Sequence, residues 1–288
     1  MDILTKLITK DTDIILLTNE NITLKDKYEI LGYTSVLADY YVSYIYKNNN
    51  NIYYFKEQSK NRDYPFALIE ELMGTYLCNY LNLKSIKYSV ATNGCKYGLA
   101  SLNFKDDQHK YYFFSDFIFN DFINKESIEN GLYNLNVLKD LCINEDNYEE
   151  LIKQIMDLIV LDIYMVQCDR SNINIQFQID KKTKYLSLAP IYDFSNCSFK
   201  FNSDIQVCNA ILQINQKNII KLLKNSKYFK ERINYILEND MSKIWKQICI
   251  DYKLNQECSI YENINDYYKS KYNSQKKYIK QLIKDVQL

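Results

Sequence analysis

With 288 residues, 47% hydrophobic and 25% charged, the chain can bury a sizeable core and has an ordinary globular composition. Its 36 basic and 36 acidic residues cancel, which argues against a whole-molecule field for nucleic acid or an anionic membrane, so no direct nucleic-acid partner is expected. One histidine and 8 cysteines without a C-x-x-C pair argue against Cys/His zinc sites and against His-dependent hydrolases.

The first residues, Met1 to Lys6, lack the apolar core of a secretory signal, and no apolar run reaches membrane-spanning length. The expectation is a cytoplasmic protein with no membrane span, its cysteines reduced and serving as small core hydrophobes. Short apolar runs at 14–17 and 28–31 open the chain. Tyr, Val and Ile alternate through 40–46 and 52–57, and the asparagine-rich run between them reads as a turn. Pro65, followed by apolar residues at 66, 69, 73, 76, 77 and 80, predicts a helix over 66–81. Segments 86–91, 97–104 and 110–118 read as further strands of the same antiparallel sheet. His109 falls in the polar stretch Lys105 to Lys110 and reads as a solvated turn residue. The 28 tyrosines are scattered and read as compositional bias rather than a base-stacking platform.

The second half changes character. Helices are predicted over 135–142 and 148–165, and again at 216–224, 228–238, 240–253 and 258–285. The fold class is α+β: residues 1–118 form a sheet-dominated lobe with one main helix, and 119–288 form a mostly helical lobe. A cleft between two such lobes is a common ligand site.

One hairpin interrupts the helical half. Asn174 to Ile179 alternates polar and apolar residues, Asp180 to Thr183 is a polar turn, and Tyr185 to Pro190 alternates again. In an antiparallel hairpin the start of the first strand lies beside the end of the second, which brings Asn174 close to Asp193. Asp169 lies just before the hairpin, after a long helix, so three side chains converge on one edge. An amide and a carboxylate supply hard oxygen ligands for Mg²⁺, and a separate carboxylate can accept the proton of a substrate hydroxyl. That set suits phosphoryl transfer, where positioning and charge neutralisation do most of the work.

The residues Asp169-Arg170 with Asn174, and Leu188 to Asp193, resemble the D-R-H-x-x-N and L-x-P-x-Y-D motifs of HipA-like serine/threonine kinases. Glu71 to Leu83 is similar to that family's E-x5-L-A-x2-L-G helix, and Gly98 to Phe104 to its G-x-x-S-x-x-F strand. The resemblance covers roughly residues 30–200 and implies a two-lobed protein-kinase-like fold of the compact, single-kinase-domain kind. It implies ATP and Mg²⁺ as cofactors. Asp169 would be the catalytic base, Asn174 and Asp193 would hold the metal, and Lys56 would contact the nucleotide phosphates. Glu71 would pair with Lys56, with Glu70 the adjacent alternative. Thr34 and Ser35 after Gly32 would lie at the phosphates, with Ser35 a candidate regulatory phosphosite, and Asp116 and Phe117 would sit beside the adenine. Three positions depart from the pattern: the family's His is Ser171, its helix-ending Gly is Asn82, and the phosphate loop is poor in glycine.

The function implied is transfer of the γ-phosphate of ATP to a hydroxyl, with a protein Ser or Thr favoured as substrate. A lipid or small-molecule kinase of the same fold is the alternative, followed by a catalytically silent nucleotide-binding or interaction module. An antitoxin or other regulatory partner is not readable from these residues, and the additional N-terminal domain of the longer family toxins has no match in them.

Overall fold

The computed structural model describes residues 3–17, 43–48, 51–57, 66–114, 116, 136–167, 170, 174–194, 207–208, 213–214, 216–238 and 240–287. A short helix α1 (Ile3–Leu7) precedes strand β1 (Ile14–Leu16). The hairpin β2 (Ser43–Asn48) and β3 (Asn51–Glu57) follows, with helix α2 (Ala67–Tyr80) next in the chain. Strands β4 (Tyr88–Thr92) and β5 (Tyr97–Leu102) complete a five-stranded sheet of order β1-β4-β5-β3-β2. All its pairings are antiparallel except β1 on β4, which run parallel.

Strand β6 (His109–Phe113) corrects the sequence expectation. It does not join the first sheet but pairs antiparallel with β7 (Gln176–Asp180), which pairs with β8 (Leu186–Leu188). Alternation marks a half-buried strand but carries no information about its partner, and β6 is half-buried except at Lys110. The boundary expected between residues 118 and 119 falls outside the described residues.

The remaining elements are helical: α3 (Asn136–Lys139), α4 (Glu145–Met165), α5 (Gln216–Asn225), α6 (Lys227–Leu237), α7 (Met241–Asp251) and α8 (Ser259–Gln287), with a short strand pair Val207–Cys208 and Gln213–Ile214. One core runs through α2, α4, the β7–β8 hairpin and α5 to α8, including Leu72, Met73, Leu77, Leu158, Ile159, Phe177, Phe229 and Trp245. Each such side chain contributes about 1.5–3 kcal/mol on burial. A smaller cluster of Leu17, Tyr46, Phe55, Ala91 and Ala100 is built from the first sheet's own strands and the residue after β1. No helix among the described residues is long and apolar enough to cross a membrane.

Two local features hold the parts that matter most. Helix α2 ends in a left-handed residue, Asn82 at φ 56°, with the Leu83 amide bonded to the Cys78 carbonyl and the Asn82 amide to that of Asn79. That is the glycine-type helix stop, and asparagine is the residue that best replaces glycine there. Helix α4 begins at Asn144, whose side chain accepts from the Asn147 amide at 2.9 Å. Asn147 is itself buried and clamps the backbone of Leu186 with both ends of its amide, at 2.7 and 3.1 Å, while Gln154 accepts from the Leu188 amide at 2.9 Å. The edge of β8 is therefore satisfied by side chains of α4, and the hairpin cannot slide against that helix.

Candidate active site

Strand β3 delivers Lys56 and helix α2 delivers Glu71. The Lys56 ammonium donates to Glu71 Oε1 at 2.5 Å and to Asp193 Oδ1 at 2.7 Å. The three residues are far apart in the chain, with 137 positions between Lys56 and Asp193. Burial alone would depress the Lys56 pKa, but the Asp193 and Glu71 carboxylates more than offset it and hold the ammonium above the ordinary lysine range. Strand β5 approaches β3 here very closely. A Cβ added to Gly98 would lie 2.2 Å from the Lys56 carbonyl oxygen, so only glycine permits this spacing.

Glu71 is fully buried, and its second oxygen accepts from Tyr88 Oη at 2.8 Å and from the Phe194 amide at 2.9 Å. Burial, and then the Glu71 carboxylate, raise the Tyr88 pKa well above its usual value, which keeps the phenol a donor. Glu70 faces elsewhere: its Oε1 accepts from Lys271 of α8 at 3.2 Å. Helical geometry separates consecutive side chains by about 100°, so of the two glutamates Glu71 is the one on Lys56.

Asp193 sits at φ 60°, in the left-handed region, and is tied down on several sides. Gln167 Nε2 donates to its carbonyl at 3.0 Å, and an Arg170 guanidinium nitrogen donates to the Tyr192 carbonyl at 2.6 Å. Arg170 is 5.3 Å from the Phe194 ring and forms a fully buried pair with Asp162 of α4 at 3.1 Å. Burial opposes the Arg170 charge, yet Asp162 and then Asp193 raise its pKa. The Phe194 ring in turn lies against Gly74, where an added Cβ would stand 2.1 Å from it. The absence of a side chain at Gly74 is what lets the segment after Asp193 reach α2.

Asn174 is 4% exposed and precedes Ile175, whose carbonyl accepts from the Phe114 amide at 2.9 Å. Counting back along the ladder from the pair Phe177↔Leu188 puts Asn174 level with Ile191, two residues before Asp193. A hydrogen bond from Gln176 Nε2 to Tyr192 Oη at 2.9 Å spans the same gap. The hairpin thus brings the Asn174 and Asp193 ends of the motif to one edge. Asp116 is exposed, and its carboxylate accepts from the Phe113 amide at 2.8 Å. Asp169, Thr34, Ser35 and Phe117 lie outside the described residues. His109 is the first residue of β6, paired with Asp180 and half-buried rather than a solvated turn residue, and its Nδ1 is 2.8 Å from the Asp106 carboxylate.

Four contributors escape a motif reading: Tyr88, Asp162, Gln167 and Arg170 in its buried role. Asp162 carried a signal, since it is an acid at a core position of α4 among Leu158, Ile159 and Ile163. Such a position demands a buried partner.

No protein-family model matches the chain, and no curated protein does. Solved structures do. The Helicobacter pylori proinflammatory kinase CtkA is 20% identical, with a TM-score of 0.59 over 84% of this chain and 93% of that one. The Shewanella oneidensis MR-1 toxin HipA, in its complex with HipB and operator DNA, is 11% identical, with a TM-score of 0.55 over 82% of this chain. The match spans 60% of the HipA structure's chain. The chain has the kinase-like fold of these proteins: a mixed N-terminal sheet with one main helix, and a mostly helical C-terminal part.

Proposed function

We propose that the chain is an ATP- and Mg²⁺-dependent phosphotransferase of HipA-like type, with a protein serine or threonine as the favoured acceptor. One observation carries the reading: Lys56, Glu71 and Asp193, from a strand, a helix and a post-hairpin loop, meet at a single ammonium group. The division into lobes 1–118 and 119–288, with the site between them, belongs to the same proposal, with β6 at the end of the first lobe crossing to pair with the hairpin of the second.

The donor set fits the cofactors. The Asp193 carboxylate and the Asn174 amide are hard oxygen ligands, and Mg²⁺ is characteristically held by one or two protein oxygens together with phosphate oxygens and water. The Asp193 side chain is 16% exposed and the Lys56 side chain 24%, so both remain within reach of a ligand. When bound, Mg²⁺ supplies neutralisation of the charge on the phosphate oxygens.

The chain's own residues do the rest. Lys56 binds phosphate oxygens as a fixed cation, and Glu71, held by Tyr88 and the Phe194 amide, keeps it pointed there. Asp193 and Asn174 would hold the metal, which would supply the charge neutralisation at the phosphates. Asp169 accepts the proton from the acceptor hydroxyl oxygen as that oxygen attacks. Thr34 and Ser35 are assigned to the phosphates, and Asp116 with Phe117 to the adenine, on the resemblance alone. A balance of 36 basic and 36 acidic residues favours no nucleic-acid substrate.

The test is transfer of labelled phosphate from ATP to the protein itself or to a generic Ser/Thr substrate, with and without Mg²⁺. Wild type is expected to transfer and Asp169→Ala to lose at least about 10²-fold, the usual contribution of a positioned base. Equal activity in the two proteins would remove Asp169 from the mechanism.

A further inference from the structure

The buried pair Glu70–Lys271 lies one residue from Glu71 and takes no part in the phosphate chemistry. Its two side chains are 0% and 1% exposed and come from elements 201 positions apart. Burying two charges is expensive, and such a pair typically adds little net stability over an apolar replacement. What it does supply is a defined geometry.

We propose that Lys271 of the C-terminal helix is a positioning residue for the Lys56–Glu71 pair, acting through Glu70 to set the rotation of α2; this rests on the phosphotransferase reading. The surroundings of Lys271 support a fixed placement. Its ammonium lies 6.0 Å from the Tyr267 ring centroid and 5.5 Å from that of Tyr272. Phe66, immediately before α2, stacks on Tyr267 at 4.9 Å, so α8 holds the start of α2 as well as its first turn. One turn further along α8, Gln275 donates to the Ile163 carbonyl of α4 at 2.7 Å. Helix α8 is therefore registered against both helices that bear the site: α2 with Glu71, and α4 with the Asp162 that holds Arg170. Glu70 and Glu71 are neighbours on a rigid helix, so a turn of α2 that lengthens one contact displaces the other. Misplacement of a catalytic group by about 1 Å can lower a rate roughly 10²-fold.

The experiment uses the full chain carrying Glu70→Met together with Lys271→Met, because a single change would strand a buried charge and unfold the protein for an unrelated reason. Three readouts are taken: the thermal midpoint, the acetylation rate of Lys56 by an N-hydroxysuccinimide ester followed by mass spectrometry, and Mg-ATP turnover. Lys56 acetylation is expected to rise about tenfold, the factor that roughly 1.4 kcal/mol of lost Glu71 contact supplies, with the midpoint retained. Turnover is expected to fall roughly 10²-fold in kcat. On a Glu71→Gln background the same pair of changes is expected to add no further loss, since both act on one contact. Unchanged Lys56 labelling, or a loss that simply adds to that of Glu71→Gln, overturns the inference. A wild type that does not turn over Mg-ATP defeats the phosphotransferase reading instead, and the Lys56 labelling then still decides whether Lys271 governs the pair.

Discussion

Asp193→Ala is expected to lower phosphoryl transfer from Mg-ATP by at least about 10³-fold, while leaving the protein folded. The carboxylate has two roles in the account, metal ligand and partner of Lys56, and both disappear together. Each factor of ten is about 1.4 kcal/mol of barrier, so this asks for roughly 4 kcal/mol, within the range that a lost metal contact supplies. The loss of stability should be modest, about 1 kcal/mol for alanine at a left-handed φ of 60°, because Lys56 keeps Glu71 at 2.5 Å and Gln167 and Arg170 still hold the backbone on either side of position 193. Titration calorimetry supplies a second reading: ATP binding by the wild type should tighten with Mg²⁺, and that increment should vanish in the variant. Transfer within about threefold of wild type, less than 1 kcal/mol, would remove Asp193 from the site.

Arg170→Met should produce the largest loss of stability of any change near the site. It leaves the Asp162 carboxylate fully buried without its guanidinium, and breaking such a pair from one side typically costs about 3–5 kcal/mol. Urea unfolding reads this directly as a lower midpoint at constant slope. Replacing both partners, Asp162→Leu with Arg170→Met, should recover most of the stability, since no unpaired charge remains. It should not recover phosphoryl transfer, because the guanidinium also donates to the Tyr192 carbonyl and lies under the Phe194 ring on either side of Asp193. A single Arg170→Met variant as stable as wild type would show that the buried pair does not hold this region together.

Much of this arrangement is legible in the sequence because it follows from short-range periodicity. The helix predicted over 66–81 is observed as Ala67–Tyr80, and the four C-terminal helical segments are observed within a few residues of their predicted limits. The hairpin is legible for the same reason, and is observed as β7 paired with β8. Asn82 in place of the helix-ending glycine reads as a departure in the sequence and as a conservative replacement in the structure, where it adopts the same left-handed turn.

The rest depends on long-range geometry that local pattern does not encode. The half-buried pattern of β6 is compatible with either sheet, and only the fold assigns it to β7. The Asp162–Arg170 pair requires the chain to turn back at Val166, a β-branched residue at φ 59°, where sequence preference argues against a left-handed stop. The Glu70–Lys271 contact joins residues 201 positions apart with no motif to connect them.

In the proposed function, Lys56, Asn174 and Asp193 converge on one magnesium-bound nucleotide. A crystal structure with a non-hydrolysable ATP analogue and Mg²⁺ tests it most directly. The expected result is a metal ligated by both Asn174 and Asp193, with the Lys56 ammonium on phosphate oxygens and still paired to Glu71. A nucleotide bound elsewhere, or a metal at the phosphates without both Asn174 and Asp193, would contradict it.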